Sequence, residues 1–158
     1  MKIEEVLNEN SIHLDKDLTS KKEVFDYLCS SLYQNGMISD KNAFQEKVYD
    51  REALSVTGLI DGVAIPHGVS DAVNQPSVAF VRTKKEIEWE SIDGKKIKYI
   101  FLLAIPNNTK DDVHIKMLSE LARSLMDQNV ISKLEYVETA DELLNLLKKG
   151  GIFKMVSI

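Results

Sequence analysis

The sequence predicts a layered α/β domain, a mixed β-sheet of about five strands flanked by α-helices. Three observations carry this. Helix-start signals followed by apolar residues at helical spacing recur along the chain, short apolar runs lie between them, and one run, Ile97–Ile105, is almost continuously apolar, as a strand covered on both faces must be. Helices before, between and after strands favour layers around one core. At 158 residues, 44% of them apolar, the chain has the size of one domain, read here as residues 1–158.

Ser11–Leu14 opens the sheet as the first strand. At Ser20 a hydroxyl caps free helix N–H groups and Glu23 follows three residues on, so a helix runs from Ser20 to Gln34 with Val24, Leu28 and Leu32 at helical spacing and Asn35-Gly36 as its left-handed stop. A second helix starts after Asp40 and runs through Phe44 and Val48 towards Arg51. Strands follow at Val63–Ile65 and Ser77–Arg82, and the Asp93-Gly94 turn leads into the central strand Ile97–Ile105. Thr109 with Asp112 begins a helix over Asp111–Met126 whose stripe is Ile115, Leu118, Leu121, Ala122 and Leu125. A short helix spans Val130–Tyr136, and Thr139 with Glu142 opens the last, Leu143–Lys149, which Gly150-Gly151 ends. Only the first ten and the last six residues leave room for disorder.

Composition excludes several classes. Twenty Lys and Arg against twenty-five Asp and Glu give a net charge of −5, which repels a phosphate polymer, so no nucleic-acid partner is expected and any anion site must be local. The longest apolar run, Tyr99–Ile105, is about a third of a membrane span, and no direct membrane insertion is expected. With one cysteine, Cys29, and no apolar leader at Met1-Lys2-Ile3-Glu4-Glu5, the expected compartment is the cytoplasm, and Met1 and the short tail after Gly151 suit a free subunit. There is no Gly-x-x-x-x-Gly-Lys phosphate loop, Gly-x-Ser-x-Gly elbow or Gly-x-Gly-x-x-Gly turn, and no two of His13, His67 and His114 have the four-residue spacing of a helical zinc motif. No cofactor and no metal are expected.

His67 has the most unusual setting, in Gly62-Val63-Ala64-Ile65-Pro66-His67-Gly68. Pro66 biases Ile65 to extended geometry, so the imidazole is expected to emerge at the end of a short strand, with Gly68 leaving space for another molecule. A nucleophile that meets a partner's reactive group fits this, and so does an inert turn histidine. His114 falls in the first turn of the helix from Asp111, where free N–H groups favour an anion, although a surface histidine on an amphipathic helix fits as well. Arg51, in Tyr49-Asp50-Arg51-Glu52, is locally one more charge among acids. His13 reads as a solvent-facing strand position and Cys29 as packing.

Taken together, Arg51-Glu52, Thr57-Gly58, the Gly62–Gly68 run and His114-Ile115-Lys116-Met117-Leu118 resemble the fructose/mannitol family of phosphotransferase-system enzyme IIA domains, over about Ser11 to Leu147. Trp89-Glu90-Ser91-Ile92-Asp93-Gly94 resembles the fructose-type branch, while Ile60 stands where many members have glycine. The resemblance implies that His67 accepts a phosphoryl group from the histidine-phosphorylated carrier HPr and passes it to a cysteine of the sugar-specific IIB component. It also implies that His114 and Arg51, the latter sixteen residues ahead of His67, stabilise the phosphate. The physics agrees. Phosphoryl transfer through a loose, in-line transition state asks the protein for positioning and charge stabilisation, and a neutral imidazole with cationic neighbours supplies both. An apolar rim for the partners, with Val69, Leu59 and Ile60 as candidates, is expected around His67.

Two other functions fit the same residues. One is a regulatory IIA paralogue, as in nitrogen-related phosphotransfer chains, whose phosphorylation state is the signal. The other, from a different class, is a metal-dependent hydrolase built on His67, His114 and Asp111 or Asp112.

Overall fold

The computed structural model describes residues 3–107, 119, 121, 125 and 127–149. A short helix α1 (Ile3–Val6) and a 3₁₀ turn (Glu9–Ser11) lead into β1 (Ile12–Lys16), followed by α2 (Lys21–Gln34) and α3 (Lys41–Leu54). Four further strands follow: β2 (Val63–Ala64), β3 (His67–Ser70), β4 (Ser77–Ile87) and β5 (Ile97–Pro106). Two helices, α4 (Gln128–Leu134) and α5 (Ala140–Lys149), come after β5 among the described residues. The sheet has five strands in the order β1-β4-β5-β2, with β3 also pairing to β5. It is mixed: β1 is parallel to β4, β4 antiparallel to β5, and β2 and β3 parallel to β5.

Helices cover both faces of this sheet, which is why β5 carries almost no polar residue. Its Tyr99, Phe101 and Leu103 join Leu7, Phe80, Leu134, Leu143 and Leu147 in one core. Ile100, Leu102 and Ala104 face the other way, into a second core with Phe25, Leu28, Phe44 and Val48 of α2 and α3. Alternate side chains on opposite faces are the two-residue period of a strand, here apolar on both sides.

The helix starts form as their caps require. Ser20 accepts the Glu23 N–H at 3.1 Å and Asp40 the Ala43 N–H at 3.0 Å. Thr139 accepts the Glu142 N–H at 3.1 Å while the Glu142 carboxylate accepts the Glu138 N–H at 2.7 Å, closing a reciprocal cap. Gly36 and Gly94 take the positive φ, both 75°, that their turns demand.

Several expectations are corrected. The N-terminal segment, where the sequence left room for disorder, forms α1 from Ile3, with Val6 and Leu7 buried in the first core. α3 continues beyond Arg51 to Leu54, and β4 continues through the exposed Lys84, Lys85 and Glu86 to the buried Ile87. The strand foreseen at Val63–Ile65 ends at Ala64, and β3 resumes at His67 with the same register offset on β5: Val63 lies opposite Tyr99, and His67 opposite Leu103. Pro66 explains the gap, since it has no N–H to give the ladder, although its carbonyl still accepts the Leu103 N–H at 3.0 Å. Most of the helix foreseen over Asp111–Met126 lies outside the described residues, among which Leu121 and Leu125 are buried in the first core as its stripe predicts.

Candidate active site

β3 and the C-terminal turn of α3 build the site. β3 lies directly on α3, and Gly68 is what allows it: a Cβ there would stand 3.0 Å from Val48 Cγ2, 3.1 Å from Phe44 Cε1 and 3.2 Å from the Val48 nitrogen. The expected role of Gly68, space for another molecule, is therefore corrected. Its missing side chain serves close packing of strand on helix, and the residue is buried. His67 is likewise not at the end of a strand but opens one, at the break that Pro66 makes.

This packing brings together two residues sixteen apart in sequence. Arg51 Nε donates to His67 Nε2 at 3.2 Å, and Arg51 Nη1 donates to the Ser55 carbonyl at 3.0 Å, so the guanidinium spans the helix end. On the other side of the ring, His67 Nδ1 is 3.3 Å from the Ile65 carbonyl oxygen. A carbonyl only accepts, which assigns the ring proton to Nδ1 and leaves the lone pair on Nε2. Burial of the ring pushes its pKa below the ordinary histidine value; the Ile65 carbonyl opposes this, Arg51 adds to it, and Glu52 opposes it. The result is a neutral imidazole with its free nitrogen against a cation.

The loop before the strand is held as tightly. Gly58 lies so close to the 90–91 backbone that a Cβ would collide with the Glu90 carbonyl and stand 2.8 Å from Ser91 Cα, which accounts for the glycine after Thr57. Thr57 Oγ1 donates to Glu52 Oε1, and Glu52 Oε2 is 2.8 Å from Lys21 Nζ. The sequence reading gave Glu52, Thr57 and Lys21 no role at the site, Lys21 standing only within the helix start that Ser20 caps. The first two sit in quoted motifs, but nothing local ties Lys21 to them.

His114 lies outside the described residues, as do Asp111 and Asp112. Of the foreseen rim, Val69 is 44% exposed, whereas Leu59 is buried in the first core and Ile60 packs against it. The exposed apolar side chains flanking Ser55, the residue Arg51 holds, are instead Leu54 and Val56. His13 is not solvent-facing but half-buried, 2.8 Å from Ser31 Oγ and 3.3 Å from the Tyr27 hydroxyl, because β1 lies against α2. Cys29 is core packing as expected, and burial raises its thiol pKa to about 12. Among the described residues no three His, Cys, Asp or Glu side chains converge as a metal site would require, and no helix is long and apolar enough to cross a membrane.

Residues 5–150 match the family model for the phosphoenolpyruvate-dependent sugar phosphotransferase system, EIIA 2. The chain belongs to that family. A fructose-specific EIIABC component of Bacillus subtilis is 31% identical over 94% of this chain and 23% of its own length, so the chain spans about a quarter of that longer relative. A fructose-specific EIIA component of Haloferax volcanii is 32% identical over 86% of the chain and 88% of its own length. Among solved structures, the nitrogen regulatory protein IIA-Ntr of Neisseria meningitidis superposes with a TM-score of 0.85 at 33% identity, covering 92% of this chain and 98% of that one. The mixed sheet flanked by helices is thus the architecture of this IIA family.

Proposed function

We propose that this IIA domain is a phosphocarrier: His67 accepts a phosphoryl group from phospho-HPr and passes it to a cysteine of a IIB component during sugar uptake. The observation that carries this is the His67 ring itself, with Nδ1–H on the Ile65 carbonyl and the Nε2 lone pair against Arg51 Nε. In the transfer, the phosphorus–nitrogen bond of the donor breaks and its electron pair stays on the donor imidazole as a bond forms from phosphorus to Nε2. The ring gains positive charge, and the Nδ1–H bond to Ile65 stabilises it. As the group arrives, the Arg51 N–H moves from the nitrogen lone pair to a phosphoryl oxygen, so the cation that faced the neutral imidazole becomes the counter-charge of the product. His114 is proposed, on the family pattern alone, as a second donor to those oxygens.

The partners follow from the same reading. The IIB acceptor is consistent with the Bacillus relative, whose name joins A, B and C components. The regulatory reading draws its support from the Neisseria nitrogen regulatory protein. Phosphorus NMR after incubation with phospho-HPr tests the centre: an acid-labile phosphoimidazole at position 67 is expected, and its absence refutes the proposal. Adding a cognate IIB then separates carrier from regulator, since a carrier discharges to it. A metal-dependent hydrolase is disfavoured by Arg51, whose positive charge 3.2 Å from Nε2 attracts a phosphoryl anion but repels a metal cation there.

A further inference from the structure

We infer that Lys21, Glu52 and Thr57 form a positioning device for the His67 centre, in which Lys21 holds the Glu52 carboxylate off Arg51 and Glu52 fixes the segment that orients the His67 ring. This rests on the phosphocarrier reading above. The chain of contacts is continuous. Glu52 follows Arg51 in the last turn of α3, and its side chain is only 8% exposed. One of its oxygens faces Lys21 Nζ at 2.8 Å and the other accepts from Thr57 Oγ1. Thr57, 3% exposed, accepts the Ile65 N–H on its own carbonyl at 3.0 Å, and the Ile65 carbonyl receives His67 Nδ1. Glu52 is thus linked to the ring proton of His67 through two residues.

Charge explains why Lys21 belongs to the device. A buried carboxylate stripped of its partner needs another cation, and Arg51, like Glu52, acts on the charge of the His67 ring. An Arg51 engaged by Glu52 is withdrawn from the phosphoryl oxygens it should meet. Lys21 opens α2, where a cation opposes the helix dipole, so its placement is not explained by its own helix. It is explained by Glu52 on one side and by the Trp89 ring on the other, whose centroid lies 4.8 Å from Nζ. Trp89 is in turn edge-on to Phe25 of α2 at 5.4 Å, which fixes the platform.

The test uses the full chain with two readouts: the imidazole nitrogen shifts of His67, which need no donor protein, and the rate of phosphoryl acceptance from phospho-HPr. Wild type should show a single Nδ1–H tautomer. Lys21→Met and Thr57→Val should each mix the tautomers and slow acceptance by roughly 10–100-fold, the range that small misplacements give. Thr57→Ser, which restores the hydroxyl, and Lys21→Met combined with Glu52→Gln, which removes the orphaned charge, should return acceptance to near the wild-type rate. If Lys21→Met does not fold, the Thr57 pair decides alone. The inference is overturned if the variants lower only the melting temperature and move neither readout, or if the double variant is as slow as Lys21→Met. Were wild type never phosphorylated at all, the phosphocarrier reading would fail while the tautomer measurement still judged the device.

Discussion

The His67 ring shows how much chemistry two hydrogen bonds can set. The Ile65 carbonyl fixes the proton on Nδ1, and Arg51 fixes the direction in which the Nε2 lone pair points. Removing the ring in His67→Ala should abolish phosphoryl acceptance, whereas Arg51→Ala and His114→Ala should each retain it but slow transfer by ~10²–10³, the usual cost of one lost transition-state donor. His67→Gln should keep a cooperative thermal transition, because a half-exposed polar chain replaces a polar ring without opening a cavity. Equal acceptance in all four variants, followed by phosphoprotein gels, would contradict these roles. The pH dependence follows from the same contacts. On the phosphocarrier proposal only the neutral ring accepts, and burial and Arg51 both hold its pKa below the ordinary 6.5, so the acid limb of the acceptance rate should lie below pH 6.5. Arg51→Ala removes one of the causes that lower it, and its limb should shift upward towards that value. A limb that stays in place when Arg51 is removed would mean that the guanidinium does not act on the ring.

At the scale of elements, the site is the contact between one strand and one helix. Gly68→Ala places a Cβ at 3.0 Å from Val48 Cγ2 and 3.2 Å from the Val48 backbone nitrogen, so α3 and β3 must separate. Overpacking of this kind costs about 1–3 kcal/mol, and the separation carries Arg51 away from His67. Calorimetry should show a melting temperature lower by roughly 2–10 °C together with slower acceptance, and adding Val48→Ala should restore part of both. If Gly68→Ala melts as wild type, the strand does not need the glycine. Elements were also the scale at which the sequence was most legible. Apolar spacing located α2, α3, α4 and α5, with caps at Ser20 and Thr139 for α2 and α5, and the unbroken Ile97–Ile105 run located the central strand, because these signals are local. What was not legible depends on contacts between elements. Pro66 read as the end of a strand, yet the chain keeps its register on β5 and resumes at His67. Gly68 read as open space, since nothing nearby in sequence announces Phe44 and Val48. His13 looked like a solvent-facing residue of an alternating strand, and only the packing of α2 on β1 gives its ring Ser31 and Tyr27. For the same reason Arg51 could be linked to His67 only by resemblance, and Lys21 to the site not at all.

At the scale of the whole molecule, the two cores share one sheet, and Arg82 is the clearest link between the sheet and the helices of the first core. It is 6% exposed, on β4, and its fork reaches Asp15 on β1 at 2.9 and 3.1 Å. Its Nη1 donates to the carbonyls of Leu134 at 3.0 Å, Glu135 at 3.3 Å and Val137 at 2.7 Å, which satisfies the open end of α4. The two halves of this arrangement are unequal. Asp15 has a side chain 63% exposed, and an ion pair to a solvated carboxylate contributes at most about 1 kcal/mol, even though Arg82 holds that carboxyl below its usual pKa. The Leu134 and Val137 bonds are buried, and a buried carbonyl stripped of its donor costs about 1–3 kcal/mol. Arg82→Met should therefore destabilise the fold by about 2–4 kcal/mol, or roughly 5–15 °C in melting temperature, while Asp15→Asn, which keeps the positive φ of 55° accessible, should cost less than about 1 kcal/mol. Urea unfolding of the two variants decides which half matters. Equal losses would place the stability in the β1–β4 ion pair, and a large loss confined to Arg82→Met would place it in the end of α4, the point at which the sheet carrying His67 is joined to the helices behind it.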